Sequence, residues 1–301
     1  MPELNPLRVA AIDFLNPAPL MWDFEHPPLS APLAERYHLH YTQPAQCAVE
    51  LREGRADLGL IPIAALTPAL AIVPGCAIAS VDEVRSIQLI VKLERNGDKR
   101  KHNRDEPLER TLANVRTVAA DSASLSSLAY VQILFRRFID TDPAFVSAPA
   151  EPVAMLQQAD AALLIGDPAL LALEARPQIE ANPGIGPCLW LDLAHEWHAH
   201  TGLPWVAAVW AIRPEALVSS ITPGLLIEDL QQSRDHGLAH IDQLVEEWTP
   251  RIALPPATIR HYFTRNIHYT LDQDCISAIS LFRRYAAEAG ILPPLPSLSF
   301  L

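Results

Sequence analysis

The sequence predicts an α/β protein built from two similar lobes. Three observations lead there. Short apolar runs ending in Pro, Gly or Asp alternate with segments of helical spacing. Two of those runs come in matching pairs. The chain has 301 residues, a length that suits about two domains.

The pairing is visible in the letters. RVAAID (Arg8 to Asp13) and RTVAAD (Arg116 to Asp121) share an Arg, a small apolar run and an Asp at one offset. Each is followed by a second partner: RADLGLIPIAAL (Arg55 to Leu66) and QADAALLIGDPAL (Gln158 to Leu170). Both open on Ala-Asp, enter an apolar run and break, at Pro62 or Gly166. The same element order therefore occurs twice, which is the mark of a repeated α/β unit.

The first run, Val9 to Ile12, reads as a short buried strand. Pro17 and Pro19 stop any regular element from continuing, so Asn16 falls on a rigid turn past a strand end. Open α/β sheets bind ligands outside the carboxyl ends of their strands. EVRSIQLIVK (Glu83 to Lys92) and LPWVAAVWAIR (Leu203 to Arg213) read as strands where the chain leaves lobe one and returns. Lobe one is then 1–90 plus 206–301, and lobe two 91–205. The charged stretch Glu94 to Arg110 reads as a solvated excursion on lobe two, and Lys99-Arg100-Lys101 within it as loop. The last third reads as helical. Leu226, Leu230, Leu238, Ile241, Val245 and Trp248 form one core-facing stripe that Pro250 ends. A last helix closes at Gly290.

Composition excludes several function classes. Net charge is −12, which disfavours nucleic acid and anionic membrane surfaces as partners. No apolar run reaches transmembrane length and no signal segment is visible, so a cytoplasmic protein is expected. Cys47, Cys76, Cys188 and Cys275 are scattered, with no C-x-x-C pair, and fit a reduced compartment. No phosphate-binding glycine loop or nucleophile elbow occurs. HEWHAH places His195, His198 and His200 close together, but without the H-E-x-x-H spacing, and surface histidines are expected. No metal and no cofactor are expected.

The most informative stretch is DSASLSSLAYVQILFRRF (Asp121 to Phe138). It reads as an amphipathic helix with Ser122, Ser124, Ser126 and Ser127 crowded at its start. Free N–H groups, the helix dipole and serine hydroxyls together can cradle a carboxylate without a formal positive charge. Capping alone needs fewer serines. Gly166 and Asp167 stand at another strand end, where Asp167 is either a site residue or a helix N-cap.

These motifs together resemble one family, the chorismate dehydratases of the futalosine route to menaquinone. AAIDFLNPAPLMW resembles its strand followed by S-Y-L-N-T-x-P-L. IVPGCAIASVDEVRSIQLIVK resembles its I-V-P-G-x-A-I-A-S-x-x-x-V-x-S-V stretch, and TVAADSASLSSLAYVQILF its serine-rich helix start. DAALLIGDPAL, EWHAHTGLPWVAAVWAIRP and YFTRNIHYTLDQ follow in the family's order, so the likeness spans nearly the whole chain. It implies a fold like that of type II periplasmic binding proteins, with two crossing hinge strands and a ligand cleft between the lobes. It also implies loss of water from chorismate to give 3-[(1-carboxyvinyl)oxy]benzoate, with the substrate's own enolpyruvyl carboxylate as base. On that resemblance Asn16 and Ser86 are the catalytic pair, orienting the reacting carboxylate and hydroxyl. Phe14, Ser80, Ser122, Ser124, Ser126, Ser127, Gly166 and Asp167 are its substrate-binding positions. The partner implied is a small carboxylate, chorismate; the sequence sets no oligomeric state. The chain departs from the pattern at Asp13-Phe14 (Ser-Tyr), Pro17 (Thr), Asp82-Glu83 (Gly-Pro) and Leu125 (Arg).

Two other readings remain. A cytoplasmic binding protein or sensor for a small carboxylate would share the fold, since fold does not fix function. An enzyme of the same fold acting later, on a cyclic futalosine derivative, would carry S-P-C-P-N-D-T after its first strand, which is absent.

Overall fold

The computed structural model describes residues 6–93, 108–217 and 221–301. Most of the charged stretch expected to form an excursion on lobe two, Lys99 to Lys101 included, lies outside the described residues.

Eleven described strands form two sheets: β1 (Leu7–Ile12), β2 (Tyr37–Thr42), β3 (Leu58–Pro62), β4 (Ala71–Ser80), β5 (Ile87–Lys92), β6 (Thr117–Asp121), β7 (Ala144–Ala148), β8 (Ala161–Ile165), β9 (Cys188–Asp192), β10 (Trp205–Ile212) and β11 (His268–Leu271). The first sheet runs β11-β4-β10-β3-β1-β2 and the second β7-β6-β8-β5-β9.

The repeat seen in the letters is a repeat in space. β1 pairs in parallel with β2 and β3, and β6 pairs in parallel with β7 and β8. In each lobe the first strand of the unit is central to the parallel trio, and an antiparallel strand joins its third member: β10 against β3, β5 against β8. Parallel strands covered on both faces must be apolar throughout. β3 and β8 are buried at every position.

The chain passes from the first sheet to the second between Ser80 and Ile87, and back between Asp192 and Trp205. The outward crossing bends sharply, with Arg85 in the left-handed region at φ 63°. That bend delays the expected strand, which begins at Ile87. Both crossings are fastened together at Asp192. Its carboxylate accepts the N–H groups of Val84 and Arg85 on one crossing and caps the helix Leu193–Thr201 on the other. Beside the return crossing the lobes share one core. Tyr130 of the second lobe packs edge-on against Trp197 at 5.3 Å and beside Trp205 at 5.2 Å, and Phe282 of the last helix closes the group.

The helical stripe of the last third is corrected at one position. Leu238 is exposed. The helix Pro223–Ala239 buries Leu226, Asp229, Leu230, Ser233 and Gly237 instead. Gly237 sits against the Pro19 carbonyl, which turns residue 237 rather than 238 inward. The helix then breaks at His240, and a second one, Ile241–Trp248, restarts the apolar face with Ile241, Leu244 and Val245 buried.

Candidate functional site

The carboxyl ends of both parallel trios point at the same place. A narrow pocket with about 50 Å³ of free space lies there, between the lobes. Ile12 and Phe14 reach it from the end of β1, Pro44 from beyond β2 and Pro62 from the end of β3. Across from them stand Ala123, Leu125, Ser126 and Ser127 after β6, and Ile165-Gly166 at the end of β8. Ser86 and Ile87 enter from the outward crossing, Ala207 and Ala208 from β10. Among the described residues the lining holds no charged side chain. An anion placed there would meet hydroxyls and backbone N–H groups.

Five of the expected site residues line the pocket: Phe14, Ser86, Ser126, Ser127 and Gly166. Ser86 and Ser127 are both buried. The serine cluster divides by role. The helix begins at Ser126, with Leu125 at the N-cap position and no side-chain cap. Ser126 donates to the Ala207 carbonyl at 3.2 Å and accepts the Ala64 N–H at 3.2 Å, so its hydroxyl ties the second lobe to the first. Ser124 keeps a buried hydroxyl without a hydrogen-bond partner. Ser122 and Ser124 are not among the lining residues. Their segment is turned by Asp121, whose carboxylate accepts the Ala123 N–H. Ser80 is also off the lining. It is buried and donates to the Glu83 carbonyl at 2.9 Å, shaping the crossing that carries Ser86.

Asn16 does not line the pocket as it stands, but its Oδ1 is buried without a partner. Such an atom is costly unless something satisfies it. The two prolines around it act as expected: Pro17 ends the loop and Ala18–Met21 forms a tight 3-10 turn. That turn is gripped from behind by the helix Pro223–Ala239. Ser233 donates to the Leu20 carbonyl at 2.8 Å and accepts the Asp23 N–H at 3.0 Å.

Asp167 is not the N-cap that one reading allowed. The helix Gly166–Glu174 takes Ile165 as its cap position, without a side-chain bond. The Asp167 carboxylate instead crosses to the first lobe and accepts the Leu15 N–H at 2.9 Å. Burial pushes its pKa up to about 6. The Leu15 N–H opposes that shift and nearby Asp13 adds to it.

One residue of the site went unassigned from the sequence. Tyr262 lies in YFTRNIHYTLDQ, within the segment Tyr262–Asn266, and is fully buried. Its hydroxyl stands beside Ser86 without completing a hydrogen bond to it. Burial holds the phenol well above its ordinary range, so it is a neutral donor. Nothing in the local pattern marks it, because its approach to Ser86 spans most of the chain.

The histidine run HEWHAH is dispersed. His195 pairs with Asp82 at 2.6 Å on the outward crossing, and His200 stacks on Phe138 at 4.1 Å. Among the described residues, His268, Asp272 and Cys275 bring metal-capable atoms within 4.8 Å of one another. Those groups are engaged in ending β11 and starting the last helix: Asp272 accepts the Cys275 N–H and pairs with His268. Burial pushes the Cys275 thiol up to about 12.

Comparison with known structures places this architecture. A protein from Archaeoglobus fulgidus superposes with a TM-score of 0.70 at 14% identity, covering 95% of this chain and 98% of that one. A Candida albicans protein described as having the generic periplasmic binding protein fold gives 0.62 at 11%, covering 97% and 92%. The periplasmic aliphatic sulphonate binding protein of Escherichia coli gives 0.62 at 16%, covering 100% and 94%. At these identities the likeness shows the fold: two α/β lobes of the periplasmic-binding-protein kind. No described helix is long and apolar enough to cross a membrane. In sequence, the chain is 29% identical over 191 residues to a chorismate dehydratase from Thermus thermophilus. That match spans 62% of this chain and 66% of the relative, a little under two thirds of its length. The family described as menaquinone biosynthesis matches residues 7–288, and the chain belongs to that family.

Proposed function

We propose that the protein dehydrates chorismate to 3-[(1-carboxyvinyl)oxy]benzoate in the inter-lobe pocket, in the cytoplasm, without a cofactor. The observation that carries the reading is the pocket's chemistry. It joins hydroxyls and backbone N–H groups to an apolar wall, with no acid or base among its described lining residues, and the unsatisfied Asn16 amide follows the β1 end that feeds it. Family membership and the likeness to a chorismate dehydratase support it.

The reaction suits such a site. The ring carbon bearing the enolpyruvyl ether carries a hydrogen vinylogous to the ring carboxylate. The enolpyruvyl carboxylate of the substrate takes that proton. The freed electron pair spreads through the diene toward the ring carboxylate. Hydroxide then leaves the neighbouring carbon, takes up the proton held by the enolpyruvyl carboxyl and departs as water, and the ring becomes aromatic. The protein supplies position and charge stabilisation rather than a base. Asn16 orients the enolpyruvyl carboxylate; its amide can donate and accept but is no base near neutral pH. Ser86, with Tyr262 beside it, faces the departing hydroxyl. Ser127 and the helix start at Ser126 receive a carboxylate. Closure of the lobes excludes water and strengthens these few hydrogen bonds.

The test is direct. Purified protein is incubated with chorismate and the products are followed by mass spectrometry. A product lighter by one water, with an aromatic absorbance, is expected. Binding of chorismate without loss of water would overturn the reading and leave a carboxylate-binding protein.

A further inference from the structure

We infer that Gly166 and Asp167 form a latch across the cleft that positions both Asn16 and Ser86 when the lobes are closed. The inference rests on the dehydratase reading for its kinetic part only.

The geometry is specific. Three contacts leave this one dipeptide. The Gly166 N–H donates to the Ser86 carbonyl at 2.7 Å, fixing the backbone of one catalytic candidate. The Gly166 α-carbon lies against the Phe14 ring, so close that a Cβ there would come within 2.5 Å of it. The Asp167 carboxylate accepts the Leu15 N–H at 2.9 Å. Phe14 and Leu15 are the two residues before Asn16, and both are buried. Ser86 lies on the outward crossing, and Phe14 to Asn16 belong to the first lobe. Gly166 and Asp167 stand at the end of β8 in the second. The first-lobe contacts therefore exist only with the cleft shut.

Chemistry argues that Asp167 is a latch and not a filler. A buried carboxylate is expensive to keep ionised, and among the described residues this one has a single N–H from across the cleft as its hydrogen-bond donor. Its raised pKa has the sign of that cost. The titratable groups that act on it or feel it, Asp13 from the end of β1 and Tyr262 from the segment Tyr262–Asn266, bring no positive charge. Asp167 does not line the pocket. It is thus a positioning residue that acts through Leu15, not a catalytic one.

The test uses the full chain and two variants, Asp167→Ala and Asp167→Asn. The amide keeps an oxygen that can accept the Leu15 N–H, whereas alanine keeps none. Two readouts are taken. The first is amide hydrogen exchange at Leu15 by NMR, which needs no activity. Exchange is expected to speed up at least tenfold in Asp167→Ala and to return toward the parent rate in Asp167→Asn. The second is turnover of chorismate. In Asp167→Ala, kcat is expected to fall about tenfold or more with a smaller change in KM, and Asp167→Asn is expected to restore most of it. Unchanged Leu15 exchange in a folded Asp167→Ala overturns the latch. So does an Asp167→Asn variant as impaired as Asp167→Ala, which would give the charge itself a chemical role. A parent that turns over no chorismate while Leu15 exchange responds as described would refute the dehydratase reading and keep the latch.

Discussion

The Phe14 ring of the first lobe rests on the α-carbon of Gly166 in the second, and the space a Cβ would need is filled by that ring. Gly166 also has φ 61°, a conformation costly for any residue with a side chain. The contact closes one wall of the pocket, since both residues line it.

Gly166→Ala is therefore expected to cost the fold about 1–2 kcal/mol from backbone conformation alone, while the ring clash disfavours the closed state in addition. Steady-state kinetics should show kcat/KM reduced about tenfold or more. Adding Phe14→Ala should recover the part due to the clash. The double variant would then be less impaired than the two single effects combined. Strict additivity would show that the ring and the glycine do not meet in the working enzyme.

Asn16, Ser86 and Ser127 should separate by the step they serve. On the proposed mechanism Asn16→Ala and Ser86→Ala remove groups that would matter most as charge develops, so kcat should fall roughly 10²-fold with a small change in affinity. Ser127→Ala removes the group proposed to hold ground and transition states alike, so KM should rise more than kcat falls. Equal, small effects of all three on chorismate binding, with no turnover by the parent, would fit a sensor.

Much of this arrangement is legible in the letters because it is local. Paired apolar runs ending in Pro62 and Gly166 mark the strand ends, and Pro17 and Pro19 mark the turn that carries Asn16. What stays hidden is what depends on the lobes meeting. Ser126 reads as a ligand hydroxyl because its helix start is obvious. Its bonds to Ala207 and Ala64 come from elements 81 and 62 residues away. Asp167 reads as either a cap or a site residue for the same reason, and its partner is Leu15, 152 residues away. Leu238 follows the helical stripe until the Pro19 carbonyl takes the place beside Gly237. Local periodicity does not carry such contacts.

At the far end of β3, away from the cleft, Asp57 is held by two arginines. It accepts from the backbone N–H and guanidinium of Arg8 and from Arg213 at 2.6 Å. Burial alone would raise its carboxyl; these bonds outweigh that and hold it below the ordinary 3.8. A carboxyl lowered on folding adds stability that is present above its unfolded pKa and lost as pH falls through the folded one. Thermal unfolding should therefore show a loss of stability in the window below about pH 4. Asp57→Ala should cost about 2 kcal/mol at neutral pH, discounted for the partly exposed arginines, and should flatten that window. Turnover by the folded variant should match the parent, because the cleft lies at the opposite strand ends. A change in kcat without a change in stability would contradict this separation.

The turn after Asn16 is positioned from outside the cleft, and Gly237 is the residue that permits it. A Cβ at position 237 would land on the Pro19 carbonyl oxygen, which is backbone and cannot swing aside. Ser233, one helical turn earlier, holds the same turn through Leu20 and Asp23. Gly237→Ala must then push the helix away or push the turn toward the cleft. Overpacking of this kind costs about 1–3 kcal/mol. Part of it should appear as a lower kcat in the folded fraction, since Pro19 lies three residues from Asn16. Carboxylate binding through Ser127 should be less affected. Gly224, on the same helix, meets nothing within 4 Å, so Gly224→Ala provides the control. It should leave kcat unchanged and be neutral to slightly stabilising, because alanine favours helix over glycine. The two variants are compared by melting temperature and by kcat at saturating chorismate. If both behave alike, the turn carrying Asn16 does not depend on its packing against this helix.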